Sequence, residues 1–106
     1  IQSEMGRTPH YNKGDGKDHW SIGSIMFMGS GIRGNRVLGK TDGGQFALPF
    51  DPKTLTAGAE NGIRIRPEHI HTALRQFAGI NEHEFSKRFP LKVPKEEELA
   101  SFWAQT

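Results

Sequence analysis

Residues 67–79 read PEHIHTALRQFAG, and this stretch predicts an α-helix more clearly than any other part of the chain. Pro67 suits the first turn of a helix, where its missing N–H has no intrahelical partner to lose. Apolar side chains recur at helical spacing and form a single stripe, at Ile70, Leu74, Phe77 and Ala78. Gly79 follows at the place where helices commonly end in a residue with positive φ. The sequence therefore predicts a helix over residues 67–78.

Short strands are predicted upstream of this helix, within residues 21–50. Residues 21–28 form an apolar run with glycine close by, which favours a buried strand. Residues 36–41 favour a second strand, and the glycines that follow favour a turn. Residues 45–50 fit either an edge strand or a covering loop, because nearby prolines argue against a central strand.

More helix is predicted downstream. Residues 82–88 favour a short second helix, and residues 95–103 favour a final one, with glutamates in its first turn where the helix dipole favours them. The packing face of that final helix would hold Leu99, Phe102 and Trp103. Short strands followed by two or three helices indicate the α/β class, at the edge of a sandwich.

The composition allows only a thin core. The chain has 106 residues, of which 34% are hydrophobic, with 13 glycines and 6 prolines. That length corresponds to one domain, and so many loop-forming residues leave little apolar surface to bury. We therefore expect residues 1–106 to be a single partial domain whose N-terminal portion is missing, with residues 1–20 as a site loop. A trimmed or processed terminus is the alternative.

Composition and charge also exclude several kinds of site. The chain has no cysteine, which rules out disulfides, thiolate nucleophiles and thiolate metal ligands within it. No apolar run approaches the ~20 residues that cross a bilayer, so no membrane span is expected. The net charge is +2, and the excess of basic residues falls within residues 1–40. This favours an anionic partner, whereas the lack of a basic run disfavours nucleic acid.

The polar segment at residues 4–20 carries the side chains best suited to chemistry. Glu4 follows a predicted strand end, where a carboxylate can bind metal or act as a base, or simply be a cap or a surface acid. His19 is a common type of metal ligand, and the adjacent Asp18 could orient it; a packed histidine beside Trp20 is the alternative. Arg7 and Lys17 could bind an anionic substrate or form ion pairs with nearby acids.

His69 and His71 form a His-x-His pair within the predicted helix. Side chains two positions apart on a helix point about 200° from one another, so the pair cannot share a metal. We expect both to be surface or capping residues. The chain has no Gly-x-Ser-x-Gly motif, so no catalytic nucleophile is assigned to it.

Several blocks of the sequence, in order, resemble a known family. They read SEMGRTP at 3–9, GKDHW at 16–20, MGSGIRGNRVLGKTD at 28–42, PEHIHTAL at 67–74 and GI at 79–80. They resemble the C-terminal part of the bacterial domain of unknown function family fifteen-oh-one, which is related to sulfatases and alkaline phosphatases. The resemblance covers about residues 1–81, and Met5 stands where an aromatic residue is expected.

The resemblance implies an alkaline-phosphatase-like α/β fold, of which this chain would be the C-terminal portion. It implies that Glu4 and His19 bind a divalent metal, with zinc, calcium and magnesium as the choices, and that Arg7 clamps an anionic ester. The nucleophile and the other metal ligands would lie in the N-terminal portion. Family members often carry a twin-arginine export signal, so a periplasmic or exported setting is implied as well.

These residues support more than one function. The first is metal-dependent hydrolysis of phosphate or sulfate esters, whose partners would be an anionic small-molecule or glycan ester and the remainder of the same protein. The second is a non-catalytic module that binds an anion, a glycan or a protein on the same fold. A purely structural role is the third. Metal content separates the first function from the other two.

Overall fold

The computed structural model describes residues 1–100 and residue 103. Within them, four short strands form two separate two-stranded sheets and two α-helices follow, so the expected mixed α/β class is confirmed. In chain order the elements are β1 (Gly6–Arg7), β2 (His19–Trp20), β3 (Phe50–Asp51), β4 (Thr56–Ala57), α1 (Pro67–Phe77), α2 (Glu84–Arg88) and a 3₁₀ turn at Lys95–Glu97. No helix in the described part of the chain is long and apolar enough to cross a membrane.

The first 26 residues form an antiparallel ribbon that ends in a loop. The paired residues are Gly6 with Trp20, Arg7 with His19 and, through an isolated bridge, Gln2 with Ile25. The second strand holds one extra residue between these pairings, as in a β-bulge. A Cβ atom at Gly6 would overlap the carbonyl oxygen of Ile22, so this close approach requires glycine. The loop itself is residues 9–17, which is shorter than the site loop expected over residues 1–20.

Two hairpin loops close in the same way, one beginning at Asn12 and the other at Asp42. In each, the Oδ1 atom of that residue accepts hydrogen bonds from the N–H groups two and four positions later, at distances of 2.8–3.0 Å. The fourth residue of each loop has positive φ, 59° at Asp15 and 62° at Gln45. A side-chain acceptor of Asn or Asp type therefore organises both turns.

The hydrophobic core lies against α1. Phe50, Ala73, Leu99 and Trp103 form the buried hydrophobic cluster of the described residues. Ile70 and Leu74 of the predicted stripe pack against this cluster. The Trp103 ring also lies against two phenylalanine rings, with centroid distances of 4.5 Å to Phe77 and 5.6 Å to Phe27. Helix α1 is thus stabilised mainly by what packs on its apolar face.

Both predicted helices before residue 90 are confirmed. Helix α1 matches the prediction over residues 67–78 to within one residue, and its C-cap is Ala78. Gly79 follows with a φ of 70°, as expected at a helix end. Helix α2 lies within the predicted segment 82–88, and Arg75 holds its end by donating from Nη1 to the Phe89 carbonyl at 2.9 Å.

The final helix predicted over residues 95–103 is wrong in the part that the structure describes. The 3₁₀ turn at Lys95–Glu97 gives way to extended backbone at Glu98. The Ala100 N–H then donates to the Pro52 carbonyl at 2.7 Å. Residues 101 and 102, including Phe102 of the predicted packing face, lie outside the described residues. Residues 98–100 and 103, hereafter the tail, place Leu99 and Trp103 in the core, and this burial overrides helix propensity.

The strands predicted over residues 21–28 and 36–41 are also wrong. Isolated bridges at Ile25 and at Thr41, which pairs with Ala47, stand where these strands were expected. Residues 45–49 form a loop with one isolated bridge, at Ala47, and Phe50 begins β3. The backbone between residues 29 and 39 takes positive φ at Gly29, Gly31, Asn35 and Gly39. Gly39 thus interrupts the segment 36–41, and Gly29 turns the chain directly after the segment 21–28.

Candidate functional site

The ribbon brings Arg7 and His19 together. They are directly opposite in the β1–β2 pairing, so their side chains leave the same face, with Cβ atoms roughly 4.5–5.5 Å apart. Both residues are exposed. Arg7 donates from Nη1 to the Lys17 carbonyl at 3.4 Å. The His19 imidazole makes no hydrogen bond or ion pair within the described residues. One face of the ribbon therefore carries a guanidinium beside a free imidazole.

Glu4 lies farther along the same strand, at a bend three residues before Arg7. Its exposed carboxylate has no hydrogen-bond or ion-pair partner in the described part of the chain. Arg7 lies opposite His19, and Glu4 is three residues before Arg7. Glu4 is therefore roughly 10 Å from His19 along the ribbon. The two predicted metal ligands are both free but are not adjacent. Among the described residues no group of three His, Asp or Glu side chains is arranged to hold a metal ion.

Asp18 secures the loop. Its Oδ1 accepts from Asn12 Nδ2 at 3.0 Å, and its N–H donates to the Thr8 hydroxyl at 3.1 Å. Thr8 is buried and donates in turn to the His10 carbonyl at 2.8 Å. Adjacent residues of a strand face opposite ways, so the Asp18 carboxylate points away from the His19 face. No hydrogen bond joins Asp18 to His19 in the described structure, and an orienting role for Asp18 stays a prediction.

Lys17 lies at the base of the loop beside an exposed aromatic ring. Its Nζ atom is 5.0 Å from the centroid of the Tyr11 ring, which is the geometry of a cation–π contact. The Tyr11 side chain is 68% exposed. The loop therefore presents a flat apolar surface and a positive charge together, and Asn12 holds the backbone between them in a fixed turn.

Arg64 is the residue that sequence reasoning missed. Its Nη2 donates to Ser21 Oγ at 3.4 Å, which brings a second guanidinium to the strand that carries His19. The two residues are 43 positions apart, so no local motif links them. The alternation Ile63-Arg64-Ile65-Arg66 was the available signal, because it is typical of an extended segment with one exposed charged face. The arginines are indeed exposed and the isoleucines half-buried.

His69 is a capping residue, as expected, but it is not on the surface. It is 1% exposed, and its Nδ1 accepts from the Arg66 N–H at 2.9 Å. Its Nε2 lies 2.9 Å from Glu97 Oε2. Because a backbone N–H points at Nδ1, the ring hydrogen sits on Nε2 and donates to that carboxylate. His69 therefore links α1 to the 3₁₀ turn that precedes the tail, whereas His71 is exposed as expected.

An acidic groove of about 520 Å³ lies between the β3–β4 hairpin and the 3₁₀ turn, and its carboxylates are those of Asp51, Glu60, Glu96 and Glu97. Two of them are already engaged. Glu97 binds His69, and Asp51 Oδ1 accepts from the N–H groups of Lys53 at 2.8 Å and Thr54 at 3.2 Å. These hydrogen bonds, that from Lys53 first, lower the pKa of Asp51 below its usual value by stabilising the carboxylate. The groove therefore offers too few free ligands for a metal site.

Comparison with known proteins places the chain in a family. The sequence model of a family described as Protein of unknown function (DUF1501) matches residues 1–89. The chain belongs to this family. No curated protein and no solved structure matches it. The DUF1501 match includes the ribbon, Arg64 and α1. It ends before three residues that cover α1, namely Glu97, Leu99 and Trp103.

Proposed function

We propose that this DUF1501 chain supplies part of the active site of a metal-dependent hydrolase of phosphate or sulfate esters, on an alkaline-phosphatase-like fold. The observation that carries the proposal is the pairing of Arg7 with His19, side by side and exposed on one face of the ribbon. An imidazole suits a divalent metal, and a guanidinium suits the oxygens of a phosphate or sulfate group. The pair supports a site where metal and anion meet.

The donor set fits a divalent cation in part. His19 offers a nitrogen that is not committed to another group among the described residues, whereas the free carboxylate of Glu4 lies roughly 10 Å away along the ribbon. A catalytic zinc usually has three protein ligands, so the remaining ligands and the nucleophile would come from the remainder of the same protein. Imidazole favours zinc over calcium or magnesium, which prefer oxygen ligands. A bound cation would polarise the ester and lower the pKa of attacking water.

Arg7 and Lys17 would act on the anionic group. Arg7 engages one nitrogen with the Lys17 carbonyl at 3.4 Å, which leaves its other N–H groups for ester oxygens. Those donors would stabilise the charge that gathers on the oxygens in the transition state. Lys17 would add a positive charge at the edge of the same ribbon and raise the local concentration of an anionic substrate.

The test compares two histidine variants in the complete protein. His19→Ala is expected to lower bound zinc, measured by elemental analysis, and to lower hydrolysis of a phosphate or sulfate ester in parallel. His71→Ala is the matched control, because His71 is also exposed but lies on α1. Unchanged zinc content in His19→Ala would refute the ligand role. A complete protein with neither bound metal nor hydrolytic activity would refute the hydrolase.

A non-catalytic binding role is the second candidate, and the contact between Lys17 and Tyr11 favours it. An exposed aromatic ring next to an ammonium group suits an anionic glycan, whose sugar face stacks while its acidic group pairs with the charge. Tyr11→Ala and Lys17→Ala would then weaken binding of a sulfated oligosaccharide, measured by calorimetry, with no change in metal content. Equal binding of the desulfated oligosaccharide would count against this role.

We also propose a periplasmic or exported setting, which rests on family membership alone. Fractionation of cells that express the complete protein tests it directly. Recovery of the protein with the cytoplasmic fraction would refute this proposal and leave the proposed chemistry unaffected.

A further inference from the structure

A cleft of about 290 Å³ lies beside the ribbon, between residues 46–49 and residues 62–64. Most of its lining is apolar, from Ile22, Phe46, Ala47, Leu48, Pro49 and Ile63. Apolar cavities of about 150 Å³ in proteins are large enough to bind benzene, so this cleft has room for an aromatic ring and a substituent. The Phe46 ring packs on Trp20, with centroids 5.0 Å apart, and forms one aromatic wall.

The lining contains one charged group, Arg64, and no carboxylate to neutralise it. Arg64 is exposed, and the contact of its Nη2 with Ser21 Oγ is long, at 3.4 Å. Its other N–H groups have no partner within the described residues. A guanidinium at the mouth of an apolar cleft favours a ligand with an apolar body and an anionic end, because the planar fork of donors matches paired oxygens.

The cleft lies beside the strand that carries His19, on the side of Trp20 and Ile22. Ser21 follows His19 by two residues, so their Cα atoms are at most roughly 7 Å apart. Arg64 reaches Ser21 and so connects the cleft to the chain segment that carries His19. An anionic group held at Arg64 would thus lie beside the strand that carries His19.

We propose that this cleft binds the apolar alcohol part of a sulfate or phosphate monoester, with Arg64 binding the anionic group. The inference deepens the proposed function and rests on it, because it narrows the substrate class to esters of aromatic or other apolar alcohols. Sugar esters are disfavoured, since burying their hydroxyl groups against Ile22, Leu48 and Ile63 would leave them without hydrogen bonds.

The test measures binding by calorimetry in the presence of a chelator, so that no metal contributes. The probes are 4-nitrophenyl sulfate and 4-nitrophenyl phosphate, compared with inorganic sulfate, inorganic phosphate and a glucose sulfate. We expect the aryl esters to bind about tenfold or more tightly than the inorganic anions, because the ring adds buried apolar surface. Equal affinity for aryl ester, glucose sulfate and inorganic anion would overturn the inference.

Variants assign the binding to the cleft. Arg64→Gln should weaken aryl ester binding about tenfold, the usual size of a lost charge-assisted hydrogen bond, and should leave 4-nitrophenol unaffected. Phe46→Ala should weaken both. Arg33→Gln is the matched control, because Arg33 is exposed and does not line the cleft. An Arg64→Gln variant that binds the aryl esters as tightly as the unmodified chain would overturn the inference even if Phe46→Ala fails to fold.

The experiments distinguish failure of the proposal for the cleft from failure of the proposed hydrolase function. Tight aryl ester binding without metal or turnover would refute the hydrolase and keep the cleft as a binding site. Conversely, turnover that depends on His19 but not on Arg64, with no preference for aryl over sugar esters, would refute the cleft and keep the hydrolase.

Discussion

The ribbon at residues 1–26 buries one residue, Thr8. Residues 48–103, the helical half, bury six of the described residues: Phe50, Pro52, His69, Ala73, Leu99 and Trp103. The ribbon is held by backbone pairing and by the bonds of Asn12 to its own loop. The helical half is held by apolar packing against α1. The difference shows that stability and candidate chemistry occupy different parts of the chain.

Two histidines illustrate the difference between the ribbon and the helical half. His19 is exposed and has no partner among the described residues, whereas His69 is buried and uses both ring nitrogens. A free, exposed imidazole is available to a metal or a substrate. A buried imidazole with two hydrogen bonds has no further capacity to bind a ligand. The same residue type is therefore a site candidate in the ribbon and a structural link in the helical half.

The largest expected effect on stability comes from Trp103, because this residue of the tail packs its ring in the core. Trp103→Ala should lower the free energy of unfolding by about 3–5 kcal/mol, measured by urea denaturation. Phe89→Ala is the control, since that ring is 63% exposed and its loss should cost within about 0.5 kcal/mol. Equal losses in the two variants would show that the tail does not complete the core.

The next effect compares the two histidines directly. His69→Ala should lower the free energy of unfolding by about 2–3 kcal/mol, because it leaves the Arg66 N–H and the Glu97 carboxylate without their partner. His19→Ala should change it by less than about 0.5 kcal/mol. Thermal denaturation followed by circular dichroism gives both values. A destabilised His19→Ala variant would contradict the assignment of His19 to an uncommitted surface site.

A smaller effect is expected at the ribbon tip. Asn12→Ala should cost about 1 kcal/mol, as for the loss of a helix-capping side chain, because the N–H groups of Gly14 and Gly16 lose their acceptor. Asn81→Ala is the control, because Asn81 is exposed and its side chain makes no hydrogen bond within the described residues. Amide hydrogen exchange should accelerate at Gly14 and Gly16 in Asn12→Ala alone. Unchanged exchange would show that strand pairing, not Asn12, holds the loop.

The smallest expected effect is the contribution of Asp51 to the pH dependence of folding stability. Its pKa in the folded chain is lowered by the N–H groups of Lys53 and Thr54. The stabilisation is therefore fully present above the unfolded pKa of about 3.9 and is lost as the pH falls through the lower folded value. The difference in stability between the unmodified chain and Asp51→Asn should shrink on acidification. A stability difference that grows at low pH would contradict a lowered pKa of Asp51 in the folded chain.

Sequence patterns predicted the helices that depend on interactions between residues close together in the chain. Helix α1 follows from its proline start, its stripe at Ile70 and Leu74, and its glycine end, and α2 lies where a short helix was expected. The final helix predicted over residues 95–103 is wrong because the backbone becomes extended at Glu98, and Leu99 and Trp103 are buried in the core. Competition between helix propensity and core burial is not visible in a window of sequence.

The residues of the candidate site also differ in whether the sequence alone could indicate them. Glu4, Arg7, Lys17 and His19 were found from residue type and order, and the pairing of Arg7 with His19 then came from strand register. Arg64 could not be found, because its link to Ser21 spans 43 positions. The burial of His69 could not be found either, because Glu97 lies 28 positions away.

The order of residues by itself determined the α1 helix and the class of short strands followed by helices, and it supplied the candidate residues for a metal and an anion. The helix and the class depend on interactions between residues close together in the chain. The tertiary structure alone decided that the tail would complete the core, that His69 would be buried while His19 stays free, and that Arg64 would stand at the mouth of an apolar cleft beside the ribbon. Those outcomes depend on contacts between distant segments, whose free energy is set by the surface that they bury together.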